Sequence, residues 1–407
     1  MGTISIAEKP ELDLADPALA RYPWEVLAGL RRDKPLVAAT LGPQTVWLLS
    51  RHEDVKSVLD DPASRMRGEG ETCPRALRDG PAARMWRSSL SMMDPPEHTR
   101  VRRKLAAAFT HKRAEQLRPL VSGIVDSVFG AIHGRGSIDF VRDVALPIPM
   151  RVICAVLGVP ETDWPMLESW TPDFLRIFQP NAIDSATLQR VDRASGNFIR
   201  YFTRLLEERA HDPRDDLVSK FALENDESVW IDELVAALRG LFTAGFETTA
   251  STLSATALCA ARDPSLLALM RSGQTPRRLL AEEMLRWETP VRAHFRVLGE
   301  DRELHGRDLA AGTQVFLHLG AANRDPAVFT DPESVVPDRV ENPHLAFGGG
   351  RHFCLGAGLA RVELDLVLQA MGEFWEKLQL AVSDVPRRPN AQFPGIESLP
   401  LSPCWRR

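Results

Sequence analysis

The residues best suited by type and spacing to do chemistry are Phe347-Gly348-Gly349-Gly350-Arg351-His352-Phe353-Cys354-Leu355-Gly356. Three successive glycines allow positive φ and let the backbone approach a neighbour closely. A helical pattern over 355–378 begins directly after the cysteine, so unsatisfied amides at its start favour the thiolate of Cys354. Such a thiolate is either a nucleophile or a metal ligand. A nucleophile needs a histidine base, and His352 is near in sequence while its place in space is open. A cysteine taken alone is more often an inert buried side chain; the glycines and the helix start weigh against that here.

Three further patterns carry charge where charge is costly or paired. Glu283 and Arg286 are three apart and share one helix face, which makes an ion pair whatever the function. Ala244-Gly245-Phe246-Glu247-Thr248-Thr249 lies in the middle of a proline-free run over 231–262. There a glycine costs up to about 1 kcal/mol relative to alanine, a threonine bonds back to a helix carbonyl, and a carboxylate meets an apolar centre. Such a helix is either strained for function or kinked within a bundle. His98 and Arg102, four apart, face the same way. They form either an anion-binding pair or a solvated basic face with Arg103 and Lys104.

The spacing Phe-x-x-Gly-x-x-x-Cys-x-Gly resembles the signature of the cytochrome P-450 superfamily of haem-thiolate enzymes. The resemblance implies that Cys354 is the proximal ligand to the iron of haem b, iron protoporphyrin IX. It also implies that Gly356 lets the following helix lie against the porphyrin and that Phe347 shields the sulfur. Glu283 and Arg286 match the family's Glu-x-x-Arg, and Arg339, in Asp331-Pro332-Glu333-Ser334-Val335-Val336-Pro337-Asp338-Arg339, sits where its third member lies. Val335 departs from the family's usual aromatic. Glu247 and Thr248 match the acid-alcohol pair that relays protons to iron-bound dioxygen. His98, Arg102, Arg296 and His352 fill the places of the propionate partners. Ala321-Ala322-Asn323-Arg324-Asp325-Pro326 matches a further segment common in bacterial members, so the resemblance runs from about Trp24 to the C-terminus.

The implied activity is an oxidoreductase, a monooxygenase that places one oxygen atom of O2 into a hydrophobic small molecule by hydroxylation or epoxidation, in bacterial natural-product biosynthesis. No flavin domain or Gly-x-Gly-x-x-Gly fingerprint is present, so a separate ferredoxin and ferredoxin reductase would bring NAD(P)H electrons. Arg102, Arg103, Lys104 and Arg351 offer a basic face for an acidic ferredoxin, or are merely solvated. Oxidative coupling, forming C-C or C-O bonds without oxygen insertion, uses the same core and stands as the alternative. The acid-alcohol pair argues against peroxide dependence and against a non-catalytic haem sensor. By family position the substrate pocket is lined from 61–93, Leu241, Ala244, Val291, Ala293 and Ile396, with a mobile lid around 170–187.

Helices and short strands must hold these groups in place. Helical patterns cover 23–32, 97–109, 112–130, 188–209, 231–262, 264–271, 276–287 and 355–378, with strands at 36–40, 45–49, 295–298 and 314–317. The stretches 61–93, 179–187 and 386–400 show no usable period. The pattern is mainly α with a small β region, and the resemblance implies the family's triangular helical prism. The 407 residues would allow two or three domains by length alone. Haem contacts from His98 to Cys354 instead imply one domain over 1–407, with 1–10 disordered.

Composition narrows the class further. A 44% hydrophobic and 26% charged chain is that of an ordinary globular protein. A net charge of -5 argues against a nucleic-acid partner. Five well-separated cysteines fit neither a disulfide framework nor a zinc site, and point to a reducing cytoplasm. No signal peptide is visible, and Glu247 with its threonines argues against reading 231–262 as a membrane span.

Overall fold

The computed structural model describes residues 9–41, 44–77, 79–178, 184–223, 229–388 and 390–406. Of the N-terminal stretch expected to be disordered, 1–8 lie outside the described residues.

The molecule is organised around the helix Ile231–Arg262, whose bounds are those expected from the sequence. It starts where the Glu233 carboxylate turns back to accept the Trp230 amide at 2.9 Å. It ends at Asp263, whose carboxylate accepts the Ser265 amide at 2.9 Å and, with Pro264, opens the next helix, Pro264–Ser272. Residues on every side of the central helix are buried, which identifies an interior helix rather than an amphipathic surface one. Its first half packs with Pro147–Leu157 and Ser185–His211 in one apolar cluster that includes Ile153, Phe198, Phe242 and Phe246. Its second half packs with Arg277–Glu288 and Ala357–Phe374 in another that includes Leu253, Leu285 and Leu368.

A five-stranded sheet lies to one side, in the order Leu12–Asp13, Leu36–Leu41, Gln44–Leu49, Gln314–Leu317, His294–Val297. The second and third strands form the expected hairpin, with Ala38 opposite Trp47. The last two are antiparallel, with Arg296 opposite Val315. No helix among the described residues is long and apolar enough to cross a membrane.

Two expected helices are corrected. The run 112–130 is two helices, His111–Gln116 and Arg118–Ile132, because Pro119 sits in the first turn of the second. The run 355–378 begins at Ala357 and stops at Phe374; Trp375–Leu380 is a strand paired antiparallel with Pro400–Trp405. The three-residue spacing of Trp375 and Leu378 also suits a helix, and tertiary pairing decides between them. Helices Pro147–Leu157 and Trp164–Leu175 escape a periodicity search because the first is buried almost all round and the second carries Pro165 and Pro172. The stretch 61–93 contains a helix, Pro81–Arg87.

Candidate functional site

The cysteine loop is built on two left-handed glycines. Gly348 has φ 70° and Gly350 φ 57°. At Gly350 a Cβ would also lie 2.2 Å from the Leu59 carbonyl oxygen, so close approach requires glycine as well. The loop closes where the Cys354 amide donates to the Phe347 carbonyl at 2.9 Å. Behind it, the Arg361 guanidinium lies 4.6 Å from the Phe347 ring centroid and is held by Glu282 at 2.6 and 2.9 Å.

Cys354 as a residue keeps exposed surface, while its sulfur is packed among protein atoms. Burial among protein atoms pushes its pKa up, while the amides of Gly356 and Ala357 and the charges of Arg102 and Arg361 pull it down. In the protein alone burial wins, so the helix start does not by itself deliver the thiolate expected from sequence. A Cβ at Gly356 would meet no protein atom within 4 Å, so protein packing does not explain that glycine.

A cluster of donors gathers beside the loop. His98 and His352 lie with ring centroids 4.2 Å apart, and the Nε2 of each is buried with no hydrogen-bond partner. Burial, reinforced by neighbouring cations, pushes His98 down to about 4 and His352 to about 2, so both are neutral. Arg102 donates to the Phe353 carbonyl at 2.6 Å, and buried Arg296 donates to its own neighbour, the Phe295 carbonyl, at 2.7 Å. His294 is two residues before Arg296 on one strand, hence on the same face, and burial pushes it down to about 3. Sequence reading missed it, although the His-x-Arg alternation was its signal. Two guanidiniums and two orphaned imidazoles form a site made for anionic oxygens. It fits a haem, whose two propionates would satisfy those donors beside the cysteine.

On the central helix, the Thr248 hydroxyl donates to the Ala244 carbonyl at 3.0 Å. Ala244 keeps exposed surface between buried Thr243 and half-buried Gly245, as a residue beside an open cleft does. Gly245 is a point of contact, since a Cβ there would lie 2.8 Å from Ile153 Cγ1. Glu247 is paired with Arg388 at 2.8 Å. Both line a cavity of about 210 Å³ with Ser251, Ser254, Ile396 and Glu397. Arg388, 141 residues away, had no signal in sequence.

The structure brings Glu283, Arg286 and Arg339 together. Arg286 donates twice to Glu283 at 2.8 Å and also to the carbonyls of Asn323, Pro332 and Ser334, each at 2.8 Å. Arg339 donates to Glu283 at 2.9 Å, and the Val336 amide at 2.7 Å. This network ties the helix Arg277–Glu288 to the segment that leads into the cysteine loop. Of the expected pocket residues, Leu241 and Val291 are half-buried and Ala244 is open. Ile396 lines the cavity beside Glu247, and Ala293 is wholly buried in the core beneath the larger sheet, with Leu27 and Phe316. Part of the expected lid, 179–183, lies outside the described residues.

The family model for cytochrome P450 matches residues 20–272 and 280–379. Nocardicin C N-oxygenase of Nocardia uniformis subsp. tsuyamanensis is 35% identical over 385 residues, covering 92% of this chain and 94% of the relative. Mycinamicin IV hydroxylase/epoxidase of Micromonospora griseorubida is 35% identical over 353 residues, covering 85% and 86%. Among solved structures, P450BioI in complex with an acyl carrier protein ligated to hexadec-9Z-enoic acid superposes with a TM-score of 0.88 at 28% identity, covering 96% of this chain and all of that one.

Proposed function

The chain belongs to the cytochrome P450 family, oxidoreductases that bind haem b through a cysteine thiolate, and on that premise we propose that it is a monooxygenase that hydroxylates or epoxidises a hydrophobic bacterial natural product. The observation that carries the reading is the pair of buried, orphaned imidazoles of His98 and His352 beside Cys354. Relatives named for nocardicin C and mycinamicin IV support the substrate class. Ferredoxin and its reductase supply the electrons in this reading, docking at Arg102, Arg103, Lys104 and Arg351 in the cytoplasm.

Bound haem supplies the redox centre at which O2 is reduced and the substrate oxidised. Cys354 is its ligand, with the amides of Gly356 and Ala357 donating to the sulfur. His98, His352, Arg102 and Arg296 hold the propionates, and Arg102 also ties the cysteine loop to its own helix. Thr248 hands over a proton by turning its hydroxyl away from the Ala244 carbonyl. Glu247 relays its replacement, and Arg388 fixes that carboxylate beside the cavity that both line with Ser251 and Ser254. The Glu283 network holds the cysteine loop in register without touching the reaction.

The test is the spectrum of the reduced carbon monoxide complex. A Soret band at about 450 nm that disappears in Cys354→Ser supports the ligation, and its absence from the wild type refutes it. Thr248→Ala should consume NAD(P)H without matching product; unchanged coupling removes Thr248 from the relay.

A further inference from the structure

On the central helix one buried charged side chain has no partner of opposite sign among the described residues. Arg239, on the central helix, is 3% exposed. Its Nη1 lies 3.4 Å from Thr243 Oγ1, its Nη2 3.2 Å from Ser89 Oγ, and its Nε has no acceptor. The guanidinium stacks over Phe174, 4.2 Å from the ring centroid. Among the described residues no carboxylate pairs with it, and burial alone pushes it down to about 9, with no acid acting to raise it. Two other buried arginines are paired with acids: Arg209 with Asp216 at 2.9 Å and Arg286 with Glu283 at 2.8 Å.

A guanidinium offers five donors in a planar fork, and here only two are engaged, by hydroxyls at long range. Burying that charge unpaired is unfavourable, and the oxygen pair of a carboxylate matches the fork. The surroundings are equally suited. Ser89 Oγ is itself 3.2 Å from Ser91 Oγ, so a chain of hydroxyls runs beside the guanidinium. Ser89 belongs to the stretch expected to line the substrate pocket and Phe174 to the helix that leads into the expected lid. The guanidinium therefore joins the central helix to two elements expected from the sequence to form the pocket and its lid.

We propose that Arg239, with the hydroxyls of Ser89 and Thr243, binds a carboxylate on the substrate. This rests on the monooxygenase reading and narrows its substrate to a hydrophobic acid. Arg239 precedes Thr248 by nine residues, about 13 Å along the helix axis and on its opposite side. The acid therefore sits at the lid end of an extended molecule, remote from the carbon that is oxidised.

Titration calorimetry on the haem-loaded chain tests the anchor with three matched pairs: dodecanoate and 1-dodecanol, abietate and abietinol, 2-naphthylacetate and 2-(2-naphthyl)ethanol. At least one acid should bind about 10- to 100-fold more tightly than its alcohol, the range of a charged hydrogen-bond pair. Arg239→Met should abolish that preference, and Arg204→Met, on the exposed face of Ser185–His211, should keep it. If Arg239→Met does not fold, Arg239→Gln is judged by the same criterion. The proposal is overturned if no acid is preferred by the wild type or if the preference survives loss of the guanidinium. The carbon monoxide spectrum of the same preparations separates the two readings. A band at about 450 nm without acid preference overturns the anchor alone, and acid preference without the band overturns the monooxygenase reading alone.

Discussion

Glu282 and Glu283 are adjacent carboxylates with similar short bonds and opposite expected importance. Glu282 is held by Arg361 at 2.6 and 2.9 Å and lies 3.0 Å from His344, yet its side chain is 25% exposed and that of Arg361 is 42% exposed. Glu283 and Arg286 are wholly buried. Glu283→Gln leaves the Arg286 charge in the interior and turns an amide NH2 toward donors that need an acceptor. Removing one partner of a buried pair costs about 3–5 kcal/mol, a large part of the roughly 5–15 kcal/mol that holds a folded protein together. Glu282→Gln breaks a pair that water can replace, and costs about 1 kcal/mol or less. At about 2 °C or less per kcal/mol for a chain of this size, Tm by circular dichroism should fall roughly 5 °C for the first and at most about 2 °C for the second. The fraction of thiolate-ligated haem should fall with it for Glu283→Gln alone. If Glu283→Gln lowers Tm no further than Glu282→Gln, burial is not what decides the strength of these pairs, and the argument fails.

Gly245→Ala should destabilise by about 1–2 kcal/mol, because overpacking against Ile153 exceeds the helix propensity gained. Denaturation of the Gly245→Ala/Ile153→Ala double variant should show less loss than the sum of the singles. Glu363, 2% exposed with an unpartnered Oε2, has its pKa raised well above the ordinary value by burial. The folded state then holds a proton that the unfolded state gives up above about pH 4.5, so stability falls as pH rises from there toward the folded pKa. Glu363→Gln should remove that slope, and Tm measured from pH 6 to 9 should be flatter than in the wild type. His98→Leu deletes one orphaned imidazole, so the haem-free chain should be no less stable while haem affinity falls about 10-fold or more; equal haem affinity by spectroscopic titration would remove His98 from the propionate site.

Much of the site is local in sequence, and local parts are legible. The cysteine loop needs positive φ at Gly348 and Gly350, and glycines stand there. Glu283 and Arg286 meet because i and i+3 share a helix face. His294 and Arg296 share a strand face by alternation, a signal available and passed over. Arg339 reaches Glu283 across 56 residues and could be expected only from resemblance. Arg388 belongs to a stretch without period, and its bond to Glu247 depends on where the chain returns after Trp375–Leu380. The misplaced end of the cysteine-loop helix has the same origin, since spacing cannot report the pairing of Trp375–Leu380 with Pro400–Trp405.

The central helix carries the argument one step further. Between Leu234 and Ala260 its charged residues are Arg239 and Glu247 and no others. A helix with apolar residues all round has no solvated face on which to put a charge. Each of the two must therefore be matched within the protein or kept for something that enters it. Glu247 is matched by Arg388 and stands next to Thr248, in the proton relay proposed above. Arg239 has hydroxyls, an aromatic face and no acid. The same rule that makes Glu247 intelligible as part of the reaction makes an unmatched Arg239 intelligible as the place where the substrate brings its own charge.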